Sequence, residues 1–140
     1  MTWQIFVTDD IETCLALRRV VFIEEQNVPE AEEIDDLDDQ AIHLLATVDG
    51  SPKATARLFV KGDTGKIGRV CVVKSARGTG LGVAIMQYAM DHLKTQPGVK
   101  RLMLSAQEQA MGFYERLGFV AYGDSYDDAG IPHRDMEVQL

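Results

Sequence analysis

Cysteine and basic residues are scarce in this 140-residue chain. Its two cysteines, Cys14 and Cys71, are far apart and belong to no CxxC or Cys/His cluster, so no metal site and no disulfide framework is expected. Fourteen Lys and Arg stand against 22 Asp and Glu, a net charge of -8. Nucleic-acid backbones are bound by basic surfaces, which argues against nucleic acid as a partner. No stretch approaches the ~20 apolar residues of a membrane span, and Met1-Thr2-Trp3-Gln4 carries no basic segment ahead of an apolar run. A cytoplasmic location with no membrane association is expected. There is no internal repeat and no low-complexity tract. The length and a 46% hydrophobic content fit one domain over residues 1–140, burying roughly two-thirds of its unfolded surface.

The charge that is present is unevenly placed. Glu24, Glu25, Glu30, Glu32, Glu33, Asp35, Asp36, Asp38 and Asp39 form a run without Lys or Arg, whereas Lys53 to Arg77 contains seven bases and only Asp63 as an acid. Most of the acidic run reads as a solvated loop. It lacks the central Gly and closing Glu of an EF-hand.

Hydrophobic period gives a strand over Trp3 to Val7, then a helix capped by Asp9 or Asp10 and carrying Ile11, Leu15, Arg18, Arg19 and Phe22 toward Glu25. Pro29 breaks the chain into the acidic loop. Ile42 to Val48 and Ala54 to Lys61 alternate as a hairpin about Asp49-Gly50-Ser51-Pro52, and Gly62-Asp63-Thr64-Gly65 turns into a strand over Lys66 to Val73. A helix follows with Leu81, Ile85, Ala89 and Leu93 on one face, ended by Pro97-Gly98. Val99 to Ser105 reads as a strand, Gln107 to Leu117 as a helix closed by Gly118, and Phe119 to Tyr122 and Met136 to Leu140 as final strands. The order predicts an α/β fold with a mixed sheet, not a doubly wound one.

Between the fourth strand and its helix lies Arg77-Gly78-Thr79-Gly80-Leu81-Gly82. Three glycines in five residues let the backbone approach an anion closely, and the helix start offers free N–H groups and a positive dipole end. A pyrophosphate-bearing ligand is the first expectation. The dinucleotide pattern G-x-G-x-x-G fails because its third position is Val83, and a Walker A loop fails for want of Gly-Lys-Ser/Thr.

The glycine run resembles the Q/R-x-x-G-x-G/A motif of the GCN5-related N-acetyltransferases (GNAT). About 30 residues on, Phe113-Tyr114-Glu115-Arg116-Leu117-Gly118-Phe119 resembles that family's F-Y-x-x-x-G-F segment, with Ala110 in the usual place before it. Val21 to Pro29, His43, Gly68-Arg69-Val70-Cys71-Val72 and Gly130-Ile131-Pro132-His133 are most similar to the small ElaA-like (YjcF-like) branch. The resemblance covers essentially the whole chain. It implies a mostly antiparallel sheet of six to seven strands with three to four helices, splayed between the fourth and fifth strands.

The resemblance also implies acetyl-coenzyme A as co-substrate and an amine as acceptor, and it leaves room for a homodimer. The pyrophosphate would lie on the N–H groups from Gly78 to Val83, with Lys74 and Arg77 raising the local potential. Val70, Cys71 and Val72 would pair with the pantetheine arm as an added strand, an N–H near Val72 holding the thioester oxygen. Gln107 stands where many relatives carry an Asn that bonds the pantetheine. Tyr114 is implied as the general acid for the leaving thiolate. Freeing a lysine-type ammonium at neutral pH costs about 4.6 kcal/mol, so a base is expected. Met103 occupies the strand position that carries a glutamate in some relatives, which leaves Glu24, Glu25, His43 and His133 as candidate bases and Arg69 as a candidate for a substrate carboxylate. Cys71 has no evident partnering His and is not expected to carry an acyl group. Two other readings compete: a non-catalytic coenzyme A-binding sensor, and a module whose acidic run binds a basic partner.

Overall fold

The structure is a computed structural model that describes residues 2–140. Among the described residues, seven strands form one mixed sheet in the order β1-β2-β3-β4-β5-β7-β6: β1 (Trp3–Thr8), β2 (Ile42–Val48), β3 (Ser51–Lys61), β4 (Thr64–Val72), β5 (Arg101–Gln107), β6 (Val120–Asp128) and β7 (Ile131–Gln139). Neighbours are antiparallel except β4 and β5, which run parallel. The four α-helices are α1 (Ile11–Arg18), α2 (Glu30–Glu33), α3 (Leu81–Lys94) and α4 (Met111–Glu115). This is the mixed, mostly antiparallel fold that the sequence predicts.

One face of the sheet is covered by α3, whose Leu81, Ile85, Met86, Ala89 and Leu93 are buried with Leu44, Leu58, Ile67, Leu102 and Met136. Each fully buried side chain of this size stabilises the fold by roughly 1.5–3 kcal/mol. A Cβ on Gly65 would lie 3.0 Å from side-chain atoms of Leu93 and Leu102, so this glycine lets α3 sit directly over the β4/β5 junction. On the opposite face Cys14 and Leu17 of α1, with Val21 just beyond it, are buried against Leu45 and Cys71.

The parallel pairing is short. It joins Thr64–Ile67 to Arg101–Leu104 and then stops, because β4 continues beside β3 while β5 continues beside β7. The sheet is therefore splayed at the expected place. In the free part of β4 the register against β3 slips, Thr55 facing Cys71 and Arg57 facing Gly68, so β4 carries one extra residue there. Arg69 sits in that bulge with φ 48°.

Several boundaries differ from those predicted. The first helix does not run as one α-helix to Glu25: it widens at Arg19–Glu25 into a π-helical stretch, with Gln26 N–H bonded to the Val21 carbonyl at 3.1 Å. The wider turn keeps Val21 in the core while Glu25 and Gln26 face the splay. β5 extends to Gln107, held opposite His133 of β7, and the helix expected from Gln107 shrinks to a 3-10 turn and α4. The last hairpin is far longer than Phe119 to Tyr122 and Met136 to Leu140. It turns at Ala129-Gly130, and its polar tip residues lack an alternating apolar signal.

The acidic run is only partly a solvated loop. Glu24, Glu25, Glu30, Glu32, Asp36 and Asp39 are exposed, but Glu33, Asp35 and Asp38 turn inward onto three arginines. Arg18, 1% exposed, donates from Nε to Glu33 at 2.6 Å and from Nη1 to Asp38 at 2.7 Å. Arg57 grips Asp35 through both terminal nitrogens at 2.8 and 2.7 Å and reaches Asp38 at 3.0 Å. The Arg57 hydrogen bonds hold the Asp35 carboxyl down at about 2. Burial pushes Asp38 up, but the bonds from Arg18 and Arg57 outweigh it and leave it below the ordinary carboxylate range.

Removing one charge from this cluster strands its partner in the interior, so Asp38→Asn is expected to destabilise the fold by about 3–5 kcal/mol in urea unfolding. Both carboxylates have lowered pKa values in the fold, so the stability they contribute is present at neutral pH. It is lost as pH falls below their unfolded values near 3.8 toward about 2. A wild-type unfolding midpoint that does not fall across that range would contradict this.

Candidate active site

The splay opens into a continuous cleft of about 1310 Å³, walled by the free edge of β4, the ends of β5 and β7, the π-helical stretch, the start of α3, and α4. Strand groups alternate in direction, and two bonds fix the phase here. Val73 N–H donates inward to the Lys53 carbonyl of β3 at 2.9 Å, whereas the Val72 carbonyl points outward and accepts from Arg77 Nε at 2.9 Å. The N–H of Val72, and two residues earlier that of Val70, thus lie on the unpaired edge.

The start of α3 is the second set of free donors. Gly80 is its N-cap with φ 92° and no side chain to cap it, and the first helical bond runs from Ala84 N–H to the Gly80 carbonyl at 3.0 Å. The N–H groups of Leu81, Gly82 and Val83 therefore have no acceptor and, with the helix dipole, suit an anion. Gly78 and Gly80 both lie in the left-handed region. Gly82 is helical, and an added Cβ would meet Phe113 only at 3.5 Å, so it is not required by the protein's own packing. Thr79 donates its hydroxyl to the Ala76 carbonyl at 2.6 Å, closing the turn. Lys74 is exposed and does not line the cleft.

Arg77 does not stand free beside this turn. Its guanidinium clasps Glu25 at 2.6 and 2.7 Å, which ties the glycine turn to the π-helical stretch. The Arg77 hydrogen bonds hold the Glu25 carboxyl below its ordinary range, which weakens it as a base. A second tie crosses the cleft: Gln107 Nε2 donates to Gln26 Oε1 at 2.8 Å.

Tyr114 packs edge-on between Phe113 and Phe119, with ring centroids 5.1 and 6.3 Å away, and lines the cleft. Burial pushes its phenol up to about 12, and its hydroxyl has no hydrogen-bond partner among the described residues. Cys71, on the same wall, is likewise pushed up to about 12 by burial, which keeps it a neutral thiol and a poor nucleophile.

The remaining candidates separate. His43 is 3% exposed, donates from Nε2 to the Asp38 carbonyl at 2.8 Å and does not line the cleft. Glu24 is exposed and outside the lining. Arg69 lines the cleft, yet it bonds the Glu33 carbonyl at 3.0 Å and approaches the Glu33 and Asp35 carboxylates at 3.3 and 3.4 Å, so its charge is spent on the acidic loop. His133 lines the cleft opposite Gln107. Sequence reasoning missed Gln26 and the hydrogen-bonded group Ser105, Tyr126 and Asp135. The Gly130 turn flanked by Tyr126 and His133 was the available signal for the latter.

The sheet is parted between parallel strands, with the free amides of β4 and of the start of α3 facing the gap, and comparison with known proteins identifies the family. The sequence profile of the Acetyltransferase (GNAT) domain matches residues 18–140. The uncharacterized N-acetyltransferase YjcF of Bacillus subtilis (strain 168) is 36% identical over 129 residues, 91% of each chain. An acyl-CoA N-acyltransferase from Pseudomonas aeruginosa superposes with a TM-score of 0.84 at 34% identity, and Escherichia coli ElaA with 0.84 at 29%, each covering 97% of both chains. The chain belongs to the GNAT acetyltransferases, in the group that includes YjcF and ElaA. It is an acyltransferase of a family that uses acetyl-coenzyme A.

Gly80→Ala would force a side chain into a left-handed conformation at a cost of about 1–2 kcal/mol. It is expected to lower the melting temperature by several degrees and weaken coenzyme A binding. Gly82→Ala should weaken binding without lowering the melting temperature, as measured by scanning calorimetry and a coenzyme A titration.

Proposed function

We propose that the chain transfers acetyl from acetyl-coenzyme A directly to a primary amine of a small molecule or peptide, with Tyr114 as general acid. The observation that carries this reading is the Tyr114 hydroxyl, without a partner among the described residues, in the cleft that also holds the open edge of β4 and the free amides of α3.

In this reading the pyrophosphate lies on the N–H groups of the glycine turn and α3, where no side chain intervenes. The pantetheine extends along Val70 to Val72, and Gln107 exchanges its bond with Gln26 for one to a pantetheine amide. The Val72 N–H faces the thioester oxygen and stabilises the charge that develops there. The amine nitrogen bonds to the carbonyl carbon, the C–S bond breaks, and the thiolate takes the Tyr114 proton. The amide nitrogen returns a proton to the phenolate.

A phenol at about 12 would be a poor donor to a thiolate in water, where thiols titrate near 8.5. The Cys71 thiol on the same wall is itself pushed up to about 12 by burial. Burial would raise a coenzyme A thiol in the same direction, which narrows the gap between donor and acceptor.

Tyr114→Phe is expected to lower kcat on the order of 100-fold or more while acetyl-coenzyme A affinity is unchanged. The affinity can be followed through Trp3, the single tryptophan, whose ring lies 3.6 Å from where a Gly80 Cβ would stand. An unaltered kcat removes Tyr114 from the mechanism, and saturable binding without acetylation of any amine favours a sensor.

A further inference from the structure

The far wall of the cleft carries a polar group that the donor chemistry does not use. On β7, Asp135 and His133 are two residues apart and share one face, opposite Ser105 and Gln107 of β5. Tyr126 of β6 lies opposite His133, its ring stacked on the imidazole with centroids 6.0 Å apart. The Tyr126 hydroxyl donates to Asp135 Oδ1 at 2.7 Å and is also bonded to the Ser105 hydroxyl. One carboxylate oxygen of Asp135, a residue that lines the cleft, is thereby fixed, and Oδ2 has no hydrogen-bond partner among the described residues.

His133 is 9% exposed, and its Nδ1 meets the Ile131 carbonyl at 2.7 Å. A carbonyl can only accept, so Nδ1 carries a proton and the ring's vacant lone pair is on Nε2. Among the described residues no group is hydrogen-bonded to that atom. Among the described residues Asp135 is in no ion pair, in contrast to Glu25, Glu33, Arg57, Arg69 and Arg77 on the opposite side of the cleft.

Building on the acetyl-transfer reading above, we infer that this wall receives the acceptor as a primary alkylammonium, Asp135 binding the cation and His133 Nε2 removing its proton. The ammonium N–H bond breaks toward Nε2, the freed lone pair attacks the thioester, and the imidazolium later releases the proton to solvent. The thiolate's proton still comes through Tyr114, so each proton has its own side of the cleft. Tyr126 is a positioning residue that fixes Asp135.

Two experiments test this on the full chain. In the absence of acyl donor, an NMR titration with n-butylammonium should show Asp135→Asn weakening its binding about 10-fold or more, and Tyr126→Phe weakening it less, with coenzyme A affinity from Trp3 fluorescence retained in both. In turnover, His133→Gln should lower the ratio of n-butylamine to aniline acetylation on the order of 100-fold, because an arylamine is already unprotonated at neutral pH. Equal loss for both amines would mean that His133 is structural and would overturn its role as base. Unchanged n-butylammonium binding in Asp135→Asn would overturn the cation site. Tyr114→Phe lowers both amine rates together, so its failure to do so strikes the general-acid reading instead. A wild-type chain that acetylates no amine overturns both.

Discussion

β4 and β5 share hydrogen bonds over only four residue pairs, and the placement of every candidate group depends on where that pairing ends. A backbone edge inside a protein is costly unless its N–H and C=O groups find partners. Here β3 keeps one edge of β4 satisfied and β7 keeps the far edge of β5 satisfied, so the splay leaves one free edge on each strand. The Arg69 bulge adds twist where β4 leaves its neighbour. An extended ligand can supply the missing partners along Val70 to Val72. Its anionic end can then reach the start of α3, since β4 leads into that helix through the glycine turn. The same topology thus sets both the open edge of β4 and the free amides at the start of α3.

Keeping the slot open requires walls that do not collapse into it. The acidic loop has too little apolar content to anchor itself by burial, and it is held instead by three carboxylates against Arg18, Arg57 and Arg69. Charges balance within this cluster, three against three, so it adds no strong field to the cleft. Burial, and after it the Arg57 charge, push the Arg69 guanidinium down from its ordinary range. The Glu25–Arg77 and Gln26–Gln107 ties pin the π-helical stretch from two sides by exchangeable polar contacts. Those contacts suit a wall that has to admit a ligand.

The two sides of the cleft differ in polarity, and the difference sorts the chemistry. The wall around Tyr114 and Cys71 is apolar, and burial keeps the phenol and the thiol protonated. The wall that we propose receives the acceptor is built from the polar strand residues Ser105, Gln107, Tyr126, His133 and Asp135, which can replace part of an ammonium's hydration. A proton donor and a proton acceptor can coexist at one pH when their environments differ in this way.

The glycine turn, the α3 stripe, the β2–β3 hairpin and the aromatic pair at Phe113-Tyr114 were all legible in the sequence, because each depends on local chemistry. A left-handed turn needs glycine, a helix face repeats every 3.6 residues, and a half-buried strand alternates. The end of α1, the extension of β5 to Gln107 and the length of the β6–β7 hairpin were not legible, since each is decided by partners distant in the chain. The site divides in the same way. The sequence pointed to the glycine turn by its local chemistry and to Tyr114 only through its resemblance to a family motif. Tertiary structure decided that Arg69, Arg77 and His43 are already engaged, and that His133 meets Tyr126, Asp135 and Ser105 on one wall. A side chain's type fixes what it can bond, but only the packing of distant segments determines which bonds are already taken.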